Sequence, residues 1–217
     1  MSKGILWDND GILTDTERLF YEINRDVLAE HGVDLSIENY VEWFLVSNRG
    51  AWHVLSARGY AERELSLLRS ERNQRYGQLL ANKTDLVRPG LAALLTKLRS
   101  RARMAIVTAS FRDHLELAHR GKSILHHFDV IVTKEHTARS KPAPDCYLNA
   151  LGKLNLRNRQ CIAIEDSPRG LTAALSADLQ CIVMRSPFLR DYPFVGAVAV
   201  VDDLNELSDA LDAFLAS

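Results

Sequence analysis

Short runs of hydrophobic residues recur along most of the chain, and segments with helical spacing of apolar residues separate them. Strands that alternate with helices predict right-handed crossover connections and a parallel sheet covered on both faces. Near-continuous hydrophobicity within each run is typical of strands that are buried on both sides. The runs are 4–7, 104–108, 130–133, 161–165, 181–184 and 197–201. We therefore expect a Rossmann-like α/β core with a doubly wound parallel sheet.

The alternation fails between the first and second runs. Residues 16–31 place apolar side chains on one helical face and are followed by Gly32, a residue that commonly follows a helix end. Ser36 can cap a further helix, Gly59 can end another, and residues 62–81 have the pattern of a long charged helix. No strand pattern occurs in this region. Residues 16–86 are therefore predicted to form an all-helical cap, and residues 1–15 and 87–217 to form the core.

Composition and charge exclude several classes of protein. The 217 residues are 47% hydrophobic and 25% charged, and the net charge is −1. This balance gives no broad basic field for nucleic acid or anionic lipid, and no apolar run approaches the ~20 residues that cross a bilayer. Three cysteines without paired or metal-ligand spacing argue against disulfides and structural zinc. We expect a cytoplasmic protein that binds neither nucleic acid nor membrane; a monomer is favoured, although the sequence leaves the oligomeric state open.

Polar side chains follow four of the predicted strands. The carboxyl ends of neighbouring parallel strands meet at one edge of an open sheet, which is where such sheets bind ligands. These side chains are therefore expected to converge on one crevice. They are Asp8 and Asp10 after the first run, Thr108 and Ser110 after the second, Lys141 after the third, and Glu165 and Asp166 after the fourth.

Each group has a chemical task if the substrate is a phosphate monoester. A carboxylate such as Asp8 can attack phosphorus and form an acyl phosphate, which divides hydrolysis into two steps. Asp10 could protonate the leaving oxygen and later activate water. The Lys141 ammonium and the hydroxyls of Thr108 and Ser110 can bind phosphoryl oxygens.

The acidic residues also predict a metal site. Mg²⁺ prefers hard oxygen ligands and bridges to phosphate, so it would cancel repulsion between the nucleophile and its substrate. The candidate ligands are Asp8, Asp10, Glu165 and Asp166, with a backbone oxygen as an alternative to one carboxylate. We therefore expect Mg²⁺ as the cofactor.

The same motifs carry a resemblance to a known family. Asp8-Asn9-Asp10-Gly11, then "IVTAS", "KPAPD" from Lys141 and "IEDSPRGLTAA" occur in order and with suitable spacing over essentially the whole chain. The sequence resembles the haloacid dehalogenase-like superfamily, in the branch with a helical cap that includes beta-phosphoglucomutase and phosphoglycolate phosphatase-like enzymes. The resemblance implies that Asp8 is the nucleophile and Asp10 the general acid and base. It also implies that Thr108 and Lys141 hold phosphate.

Two features of the motifs favour phosphoryl transfer within that superfamily. The resemblance implies that dehalogenases of this fold lack the second aspartate of the first motif and need no metal, so Asp10 and Glu165-Asp166 argue against dehalogenation. Mutase-like members carry a histidine at the position of Phe20. Phe20 lies on the apolar face of a predicted helix, where packing is the simpler role.

The predicted cap supplies one candidate substrate contact. Arg49, in "SNRGAW", lies where related caps contact substrate, and its planar fork suits a phosphate or carboxylate. A solvated arginine at a helix start is an equally good interpretation. The arginines from Arg58 to Arg75 are expected to form a solvated helix face.

Taken singly, each motif also has an ordinary structural explanation. An Asp-Gly pair is common in solvated turns, Glu165-Asp166 can cap the helix that follows, and Lys141 alone would be a surface lysine. Their joint occurrence at four strand ends favours a catalytic site. The sequence predicts a Mg²⁺-dependent phosphatase of sugar or polyol phosphates that acts through an aspartyl-phosphate. The alternatives are phosphoglucomutase-type transfer and a receiver-like phospho-aspartate module, which would be shorter and lack the insert.

Overall fold

The computed structural model describes residues 2–217, and a six-stranded parallel sheet forms its centre. The strand order is β3-β2-β1-β4-β5-β6, so β1 lies inside the sheet between β2 and β4. Residues Lys3 to Trp7 of β1 pair in register with Ala102 to Ile106 of β2. The strands are β1 (Lys3–Trp7), β2 (Ala102–Val107), β3 (Val130–Val132), β4 (Cys161–Glu165), β5 (Gln180–Met184) and β6 (Ala199–Val201). All six predicted strands are confirmed, and so is the doubly wound α/β fold.

Helices cover both faces of the sheet, as the hydrophobic runs predict. Side chains from α7 (Asp145–Leu154) and α8 (Pro168–Ser176) pack on the face that carries Leu6. Side chains from α5 (Leu91–Arg99) and α9 (Leu204–Ala216) pack on the opposite face, with Ile5 and Trp7. The helices outside the insert are α5 (Leu91–Arg99), α6 (Arg112–Ala118), α7 (Asp145–Leu154), α8 (Pro168–Ser176) and α9 (Leu204–Ala216). Four short 3₁₀ helices are Leu125–His127, Lys134–His136, Asn158–Gln160 and Pro187–Leu189.

Residues 16–86, between β1 and α5, form helices and no strand. They are α1 (Glu17–Ala29), α2 (Ile37–Tyr40) with a π-helical turn (Val41–Val46), α3 (Trp52–Ala57) and α4 (Glu62–Ala81). The Ser36 side chain accepts a hydrogen bond from the Asn39 amide, which is the predicted cap of α2. The division of the chain into a core and a cap domain stays a prediction, and we call residues 16–86 the helical insert.

Two crossing segments connect the helical insert to the rest of the chain. Thr14 and Val87 form an antiparallel bridge, and the Asp15 amide donates to the Leu86 oxygen at 2.8 Å. The Arg88 guanidinium donates to the backbone oxygen of Gly11 at 2.6 Å. The helical insert therefore begins and ends directly beside the loop that follows β1.

The helical insert also contacts the rest of the chain away from the segments where it begins and ends. Helix α4 packs against α6, where His114 Nε2 lies 3.1 Å from the Asn73 oxygen. Asn48 donates to the backbone oxygen of Lys141 at 2.6 Å and accepts from Arg169 at 2.7 Å.

No helix within residues 2–217 combines the length and the apolar composition that a membrane span requires.

Candidate active site

The loop after β1 brings Asp8 to the carboxyl edge of the sheet. The ladder between β1 and β4 continues to this residue, since the Asp8 amide donates to the Ile164 oxygen at 2.9 Å. Thr108 is held in the same way by the Val132 oxygen at 3.0 Å. The pleat and the parallel pairing therefore place the ends of β1, β2 and β4 side by side, as the sequence predicts.

Lys141 lies between two of the acidic residues. Its ammonium nitrogen is 2.8 Å from Asp8 Oδ1 and 2.6 Å from Glu165 Oε1, and only 3% of the Lys141 side chain is exposed. Burial opposes the charged form, but the two carboxylates outweigh it and raise the pKa of Lys141 above its usual range. Lys141 is therefore a fixed positive charge beside the predicted nucleophile.

Burial changes the acidity of the carboxylates as well. Burial raises the pKa of Asp8 to about 7, although the Lys141 ammonium acts in the opposite direction. Burial, followed by the negative charges of Glu17 and Asp8, raises the pKa of Asp166 well above its usual value. A group of carboxylates with raised pKa values in one cleft is typical of a functional site.

Three of these carboxylates fit a divalent cation. Asp8, Glu165 and Asp166 are buried and each offers an oxygen within 4.8 Å of the others. Glu165 Oε1 accepts from Tyr147 at 2.5 Å, but Glu165 Oε2 is buried without a partner among residues 2–217. Because an unpaired buried carboxylate oxygen is costly, the donor set fits a hard cation such as Mg²⁺.

Two glycines make room for that group of carboxylates. Gly11 has a φ of +79°, and a Cβ atom there would lie 1.9 Å from Asp166 Oδ2. A Cβ atom on Gly170 would lie 1.8 Å from Glu165 Oε2. Any side chain at these positions would displace a carboxylate, so the site requires both glycines, and at Gly11 the positive φ requires one as well.

Asp10 lies beside this cluster, but its carboxylate has other partners. Asp10 Oδ1 accepts from the Thr16 hydroxyl at 2.7 Å. Asp10 Oδ2 accepts from Ser110 at 2.7 Å and from Thr108 at 3.2 Å. The structure thus brings Asp10, Thr108 and Ser110 together, whereas the Asp10 carboxylate is not a member of the cluster formed by the other three acids.

A cavity of about 380 Å³ opens between this edge of the sheet and the helical insert. Its floor includes Asp8, Asp10 and Asp166, and its walls carry cationic side chains. These are Arg49, Arg69, Arg72, Lys134 and Arg169. The prediction of a solvated face from Arg58 to Arg75 is wrong for Arg69 and Arg72, because the packing of α4 over the sheet edge turns that part of the helix toward the cavity.

The cations in the walls are largely without acidic partners. Arg69 pairs with Glu62 at 2.5 Å, whereas the other four belong to no ion pair among residues 2–217. Burial lowers the pKa of Arg72 to about 10. Burial and the neighbouring Arg72 charge lower the pKa of Lys134. An acidic floor opposite an uncompensated basic wall suits a ligand that carries negative charge.

Comparison with known proteins agrees with this geometry. A family model described as haloacid dehalogenase-like hydrolase matches residues 2–178. The chain belongs to the haloacid dehalogenase-like hydrolase family. The expectation that it is an enzyme of this superfamily is therefore confirmed.

Individual relatives of this hydrolase match over most of their length. Protein CbbY of Cereibacter sphaeroides is 31% identical over 95% of this chain and 94% of its own. Fructose-1-phosphate phosphatase YqaB of Escherichia coli is 28% identical over 84% of this chain and 96% of its own. A crystal structure of CbbY from Rhodobacter sphaeroides with xylulose-(1,5)bisphosphate has a TM-score of 0.80 and 29% identity, covering 95% and 96% of the two chains.

The sequence did not point to two further residues in the cavity of this hydrolase. Glu17 is buried in the first turn of α1 and accepts a hydrogen bond from the Tyr40 hydroxyl. Burial raises the pKa of Glu17, although that hydrogen bond acts in the opposite direction. Arg169 lies in the first turn of α8, and its Nε is buried without a partner among residues 2–217. Arg169 lies within the fourth motif, and Glu17 begins the helix that follows the first motif. Their position at the start of helices next to the motifs is the signal that could have found them.

His119 is the third residue that sequence patterns missed. It follows α6 and is buried, and its Nε2 donates to the Asn9 side-chain oxygen at 2.7 Å. Burial lowers the pKa of His119 to about 4, so its imidazole is neutral at pH 7. No spacing between His119 and the first motif could reveal this contact, because 110 residues separate the two partners.

Proposed function

We propose that this hydrolase is a Mg²⁺-dependent phosphatase that hydrolyses sugar or polyol phosphates through an aspartyl-phosphate on Asp8. The observation that carries the proposal is the position of Asp8. It contacts Lys141, shares a carboxylate cluster with Glu165 and Asp166, and lies at the floor of a basic cavity. A nucleophile, fixed positive charge and cation ligands at one point are the requirements of phosphoryl transfer from a monoester.

In the first step, an Asp8 oxygen attacks phosphorus and the bond from phosphorus to the substrate alcohol oxygen breaks. Asp10, in its protonated form, delivers its proton to that oxygen, so that a neutral alcohol leaves. Lys141 stabilises the charge on the phosphoryl group. The Thr108 and Ser110 hydroxyls donate to Asp10 and lie where they can also bind a phosphoryl oxygen.

In the second step, the Asp10 carboxylate accepts a proton from water as the water oxygen attacks phosphorus. The acyl phosphate bond breaks, and Asp8 is released as a carboxylate together with inorganic phosphate. The hydrogen bonds that Asp10 accepts from Thr16 and Ser110 orient it for this task.

Asp8, Glu165 and Asp166 would hold Mg²⁺, and an oxygen from Asp10 would complete the protein ligands. The ion, when bound, would neutralise the charge that the nucleophile and the phosphate bring together. Lys141 already offsets part of the negative charge that Asp8 and Glu165 bring to this site.

The basic walls support a substrate with more than one anionic group. Arg49, Arg72, Lys134 and Arg169 surround the cavity above the reacting centre, where the part of the substrate that is not transferred would lie. The CbbY structure contains a sugar bisphosphate, and YqaB is named for a sugar phosphate.

A cytoplasmic location is supported by three buried cysteines that remain unpaired.

Transfer to water is favoured over mutase chemistry by Phe20. Its ring contacts Phe44 and Tyr76 edge-on, and the Arg72 guanidinium lies 4.7 Å from its centroid. A phenyl ring has no proton to give and no acceptor, so it cannot couple sugar binding to Asp10 as a histidine could.

The test is a screen of the purified protein against phosphorylated metabolites with Mg²⁺, with release of inorganic phosphate as the readout. We expect turnover of sugar or polyol phosphates, and loss of turnover in excess chelator. Asp8→Asn should lower kcat by at least about 10³-fold, since no covalent intermediate can form. Asp212→Asn, which alters a surface ion pair with Lys97 and Arg101, is the matched control. A folded wild type that releases no phosphate from any substrate would contradict the proposal.

A further inference from the structure

A chain of buried hydrogen bonds connects His119 to Asp10. His119 Nε2 donates to Asn9 Oδ1 at 2.7 Å, and Asn9 Nδ2 donates to Thr14 Oγ1 at 3.4 Å. The Thr14 and Thr16 hydroxyl oxygens are 3.2 Å apart, and Thr16 donates to Asp10 Oδ1 at 2.7 Å. His119, Asn9, Thr14 and Thr16 are each at most 3% exposed.

The direction of this chain is fixed by its last member. Thr16 donates its only proton to Asp10 Oδ1, so Thr14 must be the donor in the contact with Thr16. Thr14 shares its proton with the backbone oxygen of Asn9 at 3.3 Å. Apart from this shared proton, the donors on His119, Asn9 and Thr16 point from His119 toward Asp10.

Asn9 is also the centre of the loop that carries both catalytic aspartates. Its backbone oxygen accepts from the amides of Ile12, Leu13 and Thr14, so the position of Asn9 sets the turn. Its side-chain oxygen accepts from His119, the residue that follows the last turn of α6. His119 therefore fixes this turn against a separate element of the sheet domain.

His119 is costly to the fold in this position. Its Nδ1 is buried without a partner among residues 2–217. An unsatisfied buried polar atom costs about 1–3 kcal/mol, and an apolar side chain would avoid that cost. A residue that leaves one buried polar atom unpaired, but binds a catalytic loop with the other, is better explained by function than by packing.

We propose that His119 is a positioning residue for Asp10, acting through Asn9, Thr14 and Thr16 to hold the carboxylate toward the leaving oxygen. The inference rests on the proposed function, since it assigns Asp10 the proton transfer. It predicts that breaking the chain impairs proton donation to the leaving group more than it impairs attack by Asp8.

The test compares two small aryl phosphates that differ in their need for a proton. Phenyl phosphate releases a basic phenolate and benefits from general acid catalysis, whereas 2,4-dinitrophenyl phosphate releases a stable anion. Because kcat/KM covers the steps up to departure of the phenol, it isolates this difference. For Thr16→Val and for the double variant Asn9→Leu/His119→Leu, we expect kcat/KM to fall about tenfold or more on phenyl phosphate and less than about threefold on the dinitrophenyl ester.

The double variant separates positioning from stability. Replacing both partners of a buried hydrogen bond by apolar groups is close to neutral or stabilising, so its Tm should equal or exceed that of the wild type. His119→Gln keeps an amide donor and should restore most of the activity on phenyl phosphate. His127→Leu is the matched control, because His127 is a buried histidine outside the chain of hydrogen bonds.

A background without the Asp10 carboxylate gives the decisive comparison. In Asp10→Asn, adding the double substitution should change kcat/KM on phenyl phosphate by less than about twofold, because linked residues are not additive. Equal losses on both esters, or full additivity in that background, would overturn the inference.

If the wild type hydrolyses neither ester, the proposed function fails, and crystal structures of wild type and double variant still decide the positioning role. An Asp10 carboxylate with unchanged orientation and order in the variant would overturn it.

Discussion

At the residue scale, Gly11 determines how the first and fourth motifs fit together. A Cβ atom at this position would lie 1.9 Å from Asp166 Oδ2, and the φ of +79° is unfavourable for alanine. We expect Gly11→Ala to weaken Mg²⁺ binding by about 10- to 100-fold, because Asp166 must move away from Asp8. Calorimetric titration with Mg²⁺ measures this.

Gly152→Ala is the control for that substitution. Gly152 lies within α7, and a Cβ atom there would meet no atom within 4 Å. Alanine should raise the free energy of unfolding by about 0.5–1 kcal/mol and leave Mg²⁺ binding unchanged. Equal Mg²⁺ affinity in Gly11→Ala and the wild type would show that Asp166 does not bind the ion.

His119 predicts a specific pH dependence of stability. Burial lowers its pKa from 6.5 to about 4. The unfolded chain therefore binds a proton below pH 6.5 that the folded chain does not bind until about pH 4. The free energy of unfolding should decrease by about 3 kcal/mol from this group as the pH falls through that window.

Denaturant titrations at several pH values test the contribution of His119. The difference in unfolding free energy between the wild type and Asn9→Leu/His119→Leu should grow as the pH falls from 6.5 toward 4. The comparison cancels the titration of Asp8 and Asp166, which both variants share. A difference independent of pH would mean that His119 ionises freely in the folded protein.

At the scale of one element, helix α4 presents arginines to two different environments. Arg72 faces the cavity and donates to Asn24 Oδ1 at 2.8 Å, whereas Arg75 pairs with Glu30 and Glu71 on the outer side. We expect Arg72→Gln to raise KM for xylulose 1,5-bisphosphate about tenfold or more, and to change KM for 4-nitrophenyl phosphate far less. Arg75→Gln should change neither, because surface ion pairs contribute little.

Arg49→Ala should behave like Arg72→Gln, since Arg49 lies in the wall of the same cavity. Steady-state kinetics on both substrates measures the effect. Equal losses on the bisphosphate and the aryl phosphate would indicate that these arginines act on the fold or on the transferred phosphoryl group, and not on the remainder of the substrate.

At the scale of the whole molecule, the helical insert covers the site and presents Phe20, not a histidine, to the cavity. Phe20 takes the position where mutase-like relatives are expected to have histidine, and it packs against Phe44 and Tyr76. Asp10 should therefore activate water as soon as the alcohol leaves. With beta-glucose 1-phosphate and a trace of the bisphosphate, free phosphate should accumulate at the rate of substrate loss.

Phosphorus NMR follows both products of that reaction. A phosphatase gives inorganic phosphate, whereas a mutase gives glucose 6-phosphate and consumes no water. Glucose 6-phosphate that forms faster than inorganic phosphate would overturn the assignment in favour of a mutase. Phe20→His is an informative companion, because it restores a donor and acceptor at that position.

The sequence by itself determined the sheet and the floor of the site. Strands such as 161–165 are continuous apolar runs, and a parallel sheet is the arrangement that buries both of their faces. Once the sheet is parallel, Asp8 and Asp166 must emerge at the same edge. Their proximity therefore follows from local pattern and topology alone.

Only the tertiary structure decided the surroundings of that floor. Arg72 and Arg75 are three residues apart on one charged helix, and only the packing of α4 on α6 assigns one to the cavity and the other to solvent. His119 reaches Asn9 across 110 residues, through the fold and not through any spacing in the chain. The physical reason is that periodicity records which face of an element is apolar, whereas contacts between polar groups depend on how the elements are oriented in space.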